Sequence, residues 1–388
     1  MAMIVMKFGG SSVGSIGLIQ NIAEKIALHK RSQDQLVLVV SAMASTTDEL
    51  WEMAHTITAR PNRREMDMLL TAGERISMSM LSLALQEYNL EAISFTGSQS
   101  GIITDERHGN ARIINVNAFR ILDEVKKDRI AIVAGFQGVS QVKEITTLGR
   151  GGSDTSAVAL AGALKADKCE IYTDVAGVYT ADPRVVAGAR LLPQIGYDTM
   201  LALAYGGSRV IHPRAVEFAL KYQIPVEIKS SFSFQPGTLL INERNQDMET
   251  RKIEAIAHKE NLIRYTLHKD TALQQLLQTW DFEIFRYSVE GDRLELIVEA
   301  KYESEIDYHL STASISPLAK EPNLGYVIPV GIGINLDPAF LAVILELCQD
   351  IQLIKVSHSE RSIELLLPTH NVQECLQRLH HKFLGENK

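Results

Sequence analysis

The chain has 388 residues, enough for two or three domains that each bury a core. Hydrophobic residues make up 46% and charged residues 22%, while 39 basic against 47 acidic side chains leave a net charge of −8. That acidic balance, with no basic stripe interleaved with aromatics, excludes a general binder of nucleic acid or anionic membrane, and no apolar run nears the roughly 20 residues of a bilayer span. The cysteines at 169, 348 and 375 lie far apart without a C-x-x-C pair, so neither a disulfide framework nor a structural zinc site is expected, and a reducing cytoplasm fits best. The opening MAMIVMKFGG is too short and too quickly polar for a signal peptide.

From the start to about residue 242, short β-rich runs alternate with helical patterns. Strands are predicted at 4–8, 36–40, 92–95, 130–136, 170–173 and 225–229, most of them almost wholly apolar as for strands covered on both faces. Helices are predicted at 15–30, 72–87, 117–127, 154–165 and 213–222. This alternation predicts an α/β domain with a largely parallel sheet. The polar NERNQDMETRK over 242–252 follows the turn QPGT and reads as an interdomain connection. Beyond it, IEAIA, LIRYTLH, FEIFRYSV and RLELIVEA are strand-like around one helical run, ALQQLLQTW. A second pass gives GYVIPVGI, helical AFLAVILELCQ, IQLIKVS, SIELLLP and helical VQECLQRLHHKF. Two rounds of strand, helix, strand, strand, helix predict a pair of small α+β units, about 253–320 and 325–388, the first without a clear closing helix.

Six segments carry chemistry. In KFGGSSVGS, Gly9 and Gly10 let backbone approach a ligand, Ser11, Ser12 and Ser15 are candidate helix caps, and Lys7 brings a compact cation to a strand end; a tight βα turn with a surface lysine explains it equally well. SAMASTTDEL places Ser41, Thr46 and Thr47 at the C-terminal end of a parallel strand, where open α/β sheets bind ligands, although capping of the next helix accounts for them too. In TAGERIS, Glu74 serves the dipole of a helix start or receives a substrate ammonium. LGRGGSDTSA feeds glycines into a helix N-terminus but is neither G-x-G-x-x-G nor a P-loop, and it carries Arg150 and Asp154, which a phosphate cradle does not need. In YTDVAGVYTADPR a strand ends at Thr173-Asp174, turns at Gly177 and returns through Tyr179 to Asp182-Pro183-Arg184, reading as a nucleotide contact or a hairpin with a surface ion pair. GGSRVIHPRA precedes a helix beginning near Pro213; its His212 reads as a structural hydrogen-bonding residue, without a partner at metal-ligand spacing. The His380-His381 pair reads as a solvated helix face.

These motifs, in this order over residues 3–242, closely resemble the aspartokinases of the amino-acid kinase superfamily, with GRGGSDTSA and TD-x-x-GVYTADPR the most specific. The C-terminal part resembles tandem ACT regulatory domains, more clearly over 325–384. The resemblance implies an amino-acid kinase fold over 1–242, a regulatory region over 253–388, and transfer of the γ-phosphate of MgATP to the β-carboxylate of L-aspartate, the first step towards lysine, threonine, methionine and isoleucine. It implies that Lys7 contacts transferring phosphate oxygens beside Gly9, Gly10 and Ser11, while Asp154 orients Lys7. It assigns Glu74 to the substrate ammonium and Arg150 to a substrate carboxylate, with Ser41, Thr47, Gly151, Gly152 and Ser153 lining that pocket. Thr173, Asp174, Tyr179, Arg184, Arg209 and Val210 are implied to hold ATP, with Mg²⁺ held mainly through its phosphates. Arg209 replaces the family's usual lysine, and Ala176 stands where many members are acidic. Gly331, Gly333, Asn335 and Asp337 match the effector turn of an ACT unit, whereas LHKDTALQQLL in the first unit has no glycine. A lysine or threonine effector and a homodimer are implied. A superfamily kinase for glutamate, acetylglutamate, carbamate or UMP, and a silent amino-acid sensor, are the rivals; the pairing of Glu74 with Arg150 disfavours carbamate and UMP, and the presence of Lys7 and Asp154 disfavours the sensor.

Overall fold

A computed structural model describes residues 2–30, 34–242, 251–280 and 282–385; most of the connection expected at 242–252 lies outside them. The chain forms two compact units, one from Met1–Val178, Leu191–Leu201 and Arg209–Gln246, the other from Tyr179–Arg190, Ala202–Ser208 and Asp247–Lys388. No helix among the described residues is long and apolar enough to cross a membrane.

The first unit runs β1 (Met3–Phe8), α1 (Ile16–His29), β2 (Gln35–Val40), α2 (Thr46–Ile57), α3 (Arg63–Leu70), α4 (Ala72–Gln86), β3 (Ala92–Phe95), β4 (Ile102–Thr104), β5 (Ile113–Val116), α5 (Phe119–Val125), β6 (Ile130–Ala134), β7 (Gln137–Ser140), β8 (Ile145–Thr147), α6 (Gly152–Leu164) and β9 (Lys168–Thr173). After β10 (Gln194–Gly196) and α7 (Tyr197–Tyr205) come α8 (Pro213–Tyr222), β11 (Val226–Ser230) and β12 (Thr238–Ile241). Its main sheet has the order β10-β12-β11-β9-β1-β2-β6-β3. Strands β3, β6, β2, β1, β9 and β11 are mutually parallel, and β12 runs antiparallel to β11. Period-two alternation splits β1 between two cores. Met6 and Phe8 join Leu36, Leu38, Val40, Ile130 and Ile132 under Ile19, Ile22 and Ile26 of α1 and Met78, Leu81 and Leu85 of α4. Each such burial is worth about 1.5–3 kcal/mol. Val5 and Lys7 point the other way, towards α6, whose small residues from Gly152 to Ala161 are almost all buried. The cap expected at Ser15 forms: its side chain accepts from the Leu18 N–H.

A second, four-stranded sheet, β5-β4-β7-β8, was not anticipated, because its strands are only three or four residues long. The helices α2 and α3 between the second and third strands also escaped the periodic reading.

In the second unit, β13 (Lys252–His268), α9 (Thr271–Thr279), β14 (Arg286–Glu290), β15 (Arg293–Glu299) and α10 (Glu303–Thr312) are followed by β16 (Ala319–Ile332), α11 (Pro338–Leu347), β17 (Lys355–His358), β18 (Ile363–Pro368) and α12 (Thr369–Leu384). The strand, helix, strand, strand, helix order thus occurs twice. The closing helix of the first round is present after all as α10, which buries only Ile306 and Leu310, too thin a stripe to stand out in the sequence. The two rounds share one sheet, β14-β15-β13-β16-β18-β17. The two strands expected at 253–257 and 262–268 are one strand, β13, with a register shift between Lys259 and Leu262. Gly333 adopts φ +64, and Asp337 caps α11 by accepting from the Ala339 N–H.

One expectation for this unit is corrected. His380 is not on a solvated face: it is 2% exposed, with Nε2 2.9 Å from Thr180 Oγ1, because α12 buries that side with Val372, Leu376 and Leu379. Cys348 and Cys375, distant in sequence, bring their Sγ atoms to 3.6 Å as buried free thiols.

Candidate active site

Strand β1 lies between β2 and β9, with Lys7 opposite Val39 on one side and Ile171 on the other. The chain builds one flank through β2 and β6 and returns to the other with β9, so the crevice past the C-terminal ends of these strands is a topological switch point. Gly9, Ser41, Gly135 and Thr173 sit there side by side. The Gly9 N–H donates to Tyr172 O at 3.2 Å, that of Ser41 to Phe8 O at 3.1 Å, and that of Gly135 to Val40 O at 3.0 Å.

Lys7, 9% exposed, reaches Asp154 with Nζ 2.6 Å from Oδ1. The contact is a close, largely buried ion pair. Asp154 lies in the first turn of α6, where the dipole favours an anion, and its Oδ2 accepts from the His212 N–H at 3.3 Å. His212 is the N-cap of α8, its Nδ1 accepting from the Arg214 N–H, as its structural reading required. A Cβ on Gly9 would stand 3.4 Å from Lys7 Nζ, and one on Gly10 3.0 Å from Ala42 O, so both positions keep the backbone open beside the ammonium. Ser11 is exposed.

Glu74 enters through the first turn of α4, which approaches residue 42 so closely that a Cβ on Gly73 would lie 2.7 Å from Ala42 Cβ. The Ala42 N–H donates to Glu74 Oε1 at 3.1 Å, while Oε2 is buried without a hydrogen-bond partner among the described residues. The side chain is 3% exposed, and burial pushes its pKa from 4.5 up to about 7, against the opposing pull of the backbone N–H groups of Glu74 and Ala42. A buried carboxylate with one unpaired oxygen has the chemistry to accept a cation that brings its own N–H donors. Ser41, just past β2, and Thr47, in the first turn of α2, are both half-buried.

The segment 148–151 connects β8 to α6. Gly149 and Gly151 have φ +76 and +64, and a Cβ on Gly151 would land 2.2 Å from the His212 ring, so neither side is open to another residue. Ser153 packs on Gly135, where a Cβ would meet it at 2.9 Å. Gly152 is buried, and Arg150 is exposed and pairs with no carboxylate among the described residues.

Thr173 Oγ1 donates to Asp174 Oδ1 at 3.0 Å at the end of β9. Arg209 is exposed and Val210 half-buried in the segment before α8. The first unit therefore holds Lys7, Gly9, Gly10, Ser11, Ser41, Thr47, Glu74, the 150–154 group, Thr173, Asp174, Arg209 and Val210. Tyr179 and Arg184 belong to the second unit. There the Arg184 guanidinium grips Asp182 with Nε–Oδ1 at 3.0 Å and Nη2–Oδ2 at 2.7 Å, and no returning strand forms.

Sequence reasoning missed several groups. Ser231 Oγ accepts from Ser12 Oγ at 2.9 Å and donates to Thr173 O at 3.2 Å. A hydroxyl just past a parallel strand was the signal used for Ser41, and it applies equally to Ser231 after β11. Gly135 follows an apolar strand directly, as Gly9 nearly does. The Ala42 N–H has no side-chain signal at all.

Residues 2–230 match the model of the Amino acid kinase family. The chain is 42% identical to Aspartokinase 2 of Bacillus subtilis, over 99% of this chain and 98% of that protein. Aspartokinase III of E. coli, solved with aspartate and ADP in an R-state, shares the fold over 99% of this chain and 100% of its own, with TM-score 0.82 at 22% identity. The same enzyme solved with lysine and aspartate in a T-state gives TM-score 0.74, at 22% identity over 98% and 99% of the two chains. Fold, motif order and relatives together define a kinase of the amino acid kinase family. Within that family the chain belongs to the aspartokinases; it is an enzyme that phosphorylates aspartate, a phosphotransferase with a carboxyl group as acceptor.

Proposed function

We propose that the chain transfers the γ-phosphoryl group of ATP to the β-carboxylate of L-aspartate, forming 4-phospho-L-aspartate at the head of lysine, threonine, methionine and isoleucine synthesis. The observation that carries this reading is Glu74 Oε2, a buried carboxylate oxygen without a partner that suits the ammonium of an amino-acid acceptor. Arg150 takes a carboxylate of the same molecule with its planar fork of donors. Ser41, Thr47, Gly151, Gly152 and Ser153 line this acceptor side. The attacking carboxylate, with a free pKa of about 3.9, is ionised at neutral pH and needs no general base. The obstacle is the approach of an anion to a polyanion, so rate comes from alignment and from positive charge at the transferring group. Lys7 supplies that charge, held by Asp154 at 2.6 Å; Gly9, Gly10 and Ser11 cradle the phosphates.

Thr173, Asp174, Arg209 and Val210 hold the remainder of the nucleotide; Tyr179 and Arg184 enter this assignment through the motif alone. Mg²⁺ is assigned in this reading to the nucleotide's phosphates. When bound, such an ion neutralises phosphate charge. Residues 1–242 form the catalytic domain in this proposal, and 253–388 a regulatory pair of ACT-like units in a homodimer. The E. coli relative solved with lysine favours lysine as the first effector to try, with threonine second. A coupled ADP-release assay with aspartate, glutamate and no acceptor tests the reaction. Turnover with aspartate alone is expected; turnover with glutamate, or none above the acceptor-free rate, refutes it.

A further inference from the structure

A polar cluster outside the motifs ties together the two ends of the proposed acceptor pocket. Asp67, in the last turn of α3, is fully buried. Its carboxylate accepts from Thr147 Oγ1 at 2.6 Å, from His108 Nδ1 at 2.7 Å, and from the Gly109 N–H at 3.0 and 3.3 Å. Thr147 ends β8 immediately before 148–151. Gly109 belongs to the turn that presses on that segment, since a Cβ on Gly149 would stand 3.1 Å from Gly109 O. The two strands of backbone are further joined by the Ala111 N–H donating to Thr147 O at 2.8 Å. Arg214 spans them from outside, donating to Leu148 O at 2.6 Å and Ala111 O at 2.9 Å. On its other side, Asp67 is continuous with the helix that carries Glu74. The Thr71 N–H donates to Asp67 O at 3.2 Å, Gln137 Nε2 donates to Thr71 O at 3.2 Å, and α4 begins at Ala72 with Glu74 in its first turn.

We infer that Asp67 is a positioning residue for the acceptor, fixing the spacing between Glu74 and the Arg150 segment and thereby which amino acid fits. The inference rests on the acceptor reading of Glu74 and Arg150 proposed above. Asp67 touches neither substrate; it acts through Thr147 on one arm and through the α3–α4 corner on the other. Loosening it blurs the grip on the amino acid while leaving Lys7 and the nucleotide side in place.

The test compares Thr147→Val, which deletes one hydroxyl at constant shape, with Thr147→Ser, which restores it, and with Asp67→Asn. Steady-state kinetics are measured with aspartate and ATP varied separately, and folding is checked by thermal melting. Thr147→Val and Asp67→Asn are expected to lower kcat/KM for aspartate about 10- to 100-fold through KM, the scale of a sub-ångström to 1 Å misplacement. KM for ATP should hold, and Thr147→Ser should recover near wild-type values. Unchanged aspartate KM in folded Thr147→Val overturns the inference, even if Asp67→Asn fails to fold. So does a parallel rise in both KM values. Arg150→Ala separates the layers: if it raises aspartate KM while Thr147→Val does not, the acceptor reading stands and this inference falls. A wild-type enzyme inactive with aspartate removes both.

Discussion

Glu74→Gln isolates the charge on which the acceptor reading depends. Burial displaces the Glu74 pKa from 4.5 to about 7, and a displacement of roughly 2.5 pH units corresponds to about 3 kcal/mol. The sign follows from which state holds the proton more tightly. The folded protein does, so the favourable contribution is full below pH 4.5 and is lost as pH rises through about 7. Above that pH the free enzyme carries a buried carboxylate whose Oε2 has no hydrogen-bond partner. The neutral glutamine removes this cost: Glu74→Gln should melt higher than wild type at pH 8, with the difference narrowing towards pH 5.

Aspartate binding should respond in the opposite sense. Only ionised Glu74 attracts an ammonium, and with a pKa of about 7 roughly one molecule in eleven is ionised at pH 6. The aspartate Kd, measured by calorimetry without nucleotide, should therefore weaken about tenfold from pH 8 to pH 6 in the wild type, since the ligand's own carboxylates and ammonium do not titrate there. In Glu74→Gln, binding should be weak and flat over the same interval. A wild-type Kd independent of pH between 6 and 8, or a variant that keeps the wild-type slope, refutes the assignment of Glu74 to the ammonium.

Lys7→Met leaves Asp154 without its cation at 12% side-chain exposure, which should cost about 3–5 kcal/mol of stability by thermal melting. With the folded fraction accounted for, its kcat should fall about 10²- to 10³-fold, the loss expected of one charge-stabilising donor. Gly151→Ala sets a methyl against the His212 ring at φ +64; the variant should lose about 1–3 kcal/mol by chemical denaturation and raise aspartate KM. Burial holds the His380 pKa below 6.5, so its contribution to stability is present above that value and is lost as pH falls. Hydrogen-exchange protection over α12, corrected for the pH dependence of intrinsic exchange, should fall from pH 7 to pH 5 in the wild type and less in His380→Gln.

The parts of the fold legible in the sequence are those whose hydrophobic pattern answers to one environment. Strands β2 and β6 are buried on both faces and read as apolar runs, and α1 shows its stripe at Ile19, Ile22, Ala23 and Ile26. The small sheet β5-β4-β7-β8 escaped because strands of three or four residues cannot establish a period. β13 was split because its register shift near Lys259 places polar residues where alternation would have continued. His380 was misplaced because a helix face shows its polarity in sequence but not what covers it.

The same distinction governs the site. Lys7, Glu74 and Asp154 were legible because each combines a charge with a strand end or a helix start, two features that coincide where backbone donors or a dipole need an ion. What was not legible is how such residues are held. The partner of Glu74 Oε1 is the N–H of Ala42, a residue whose side chain announces nothing. Asp67 sits in a helix end, 80 residues from the Thr147 hydroxyl that it binds, and its burial is a property of the assembled unit rather than of its neighbours in sequence. Motifs therefore point to candidate ligand groups, because ligand chemistry constrains residue type locally. The groups that set the distances between those motifs are constrained only by long-range contacts, so the contacts of Asp67 with Thr147 and Gly109, on which the proposed spacing of Glu74 and Arg150 rests, become readable only in the assembled unit.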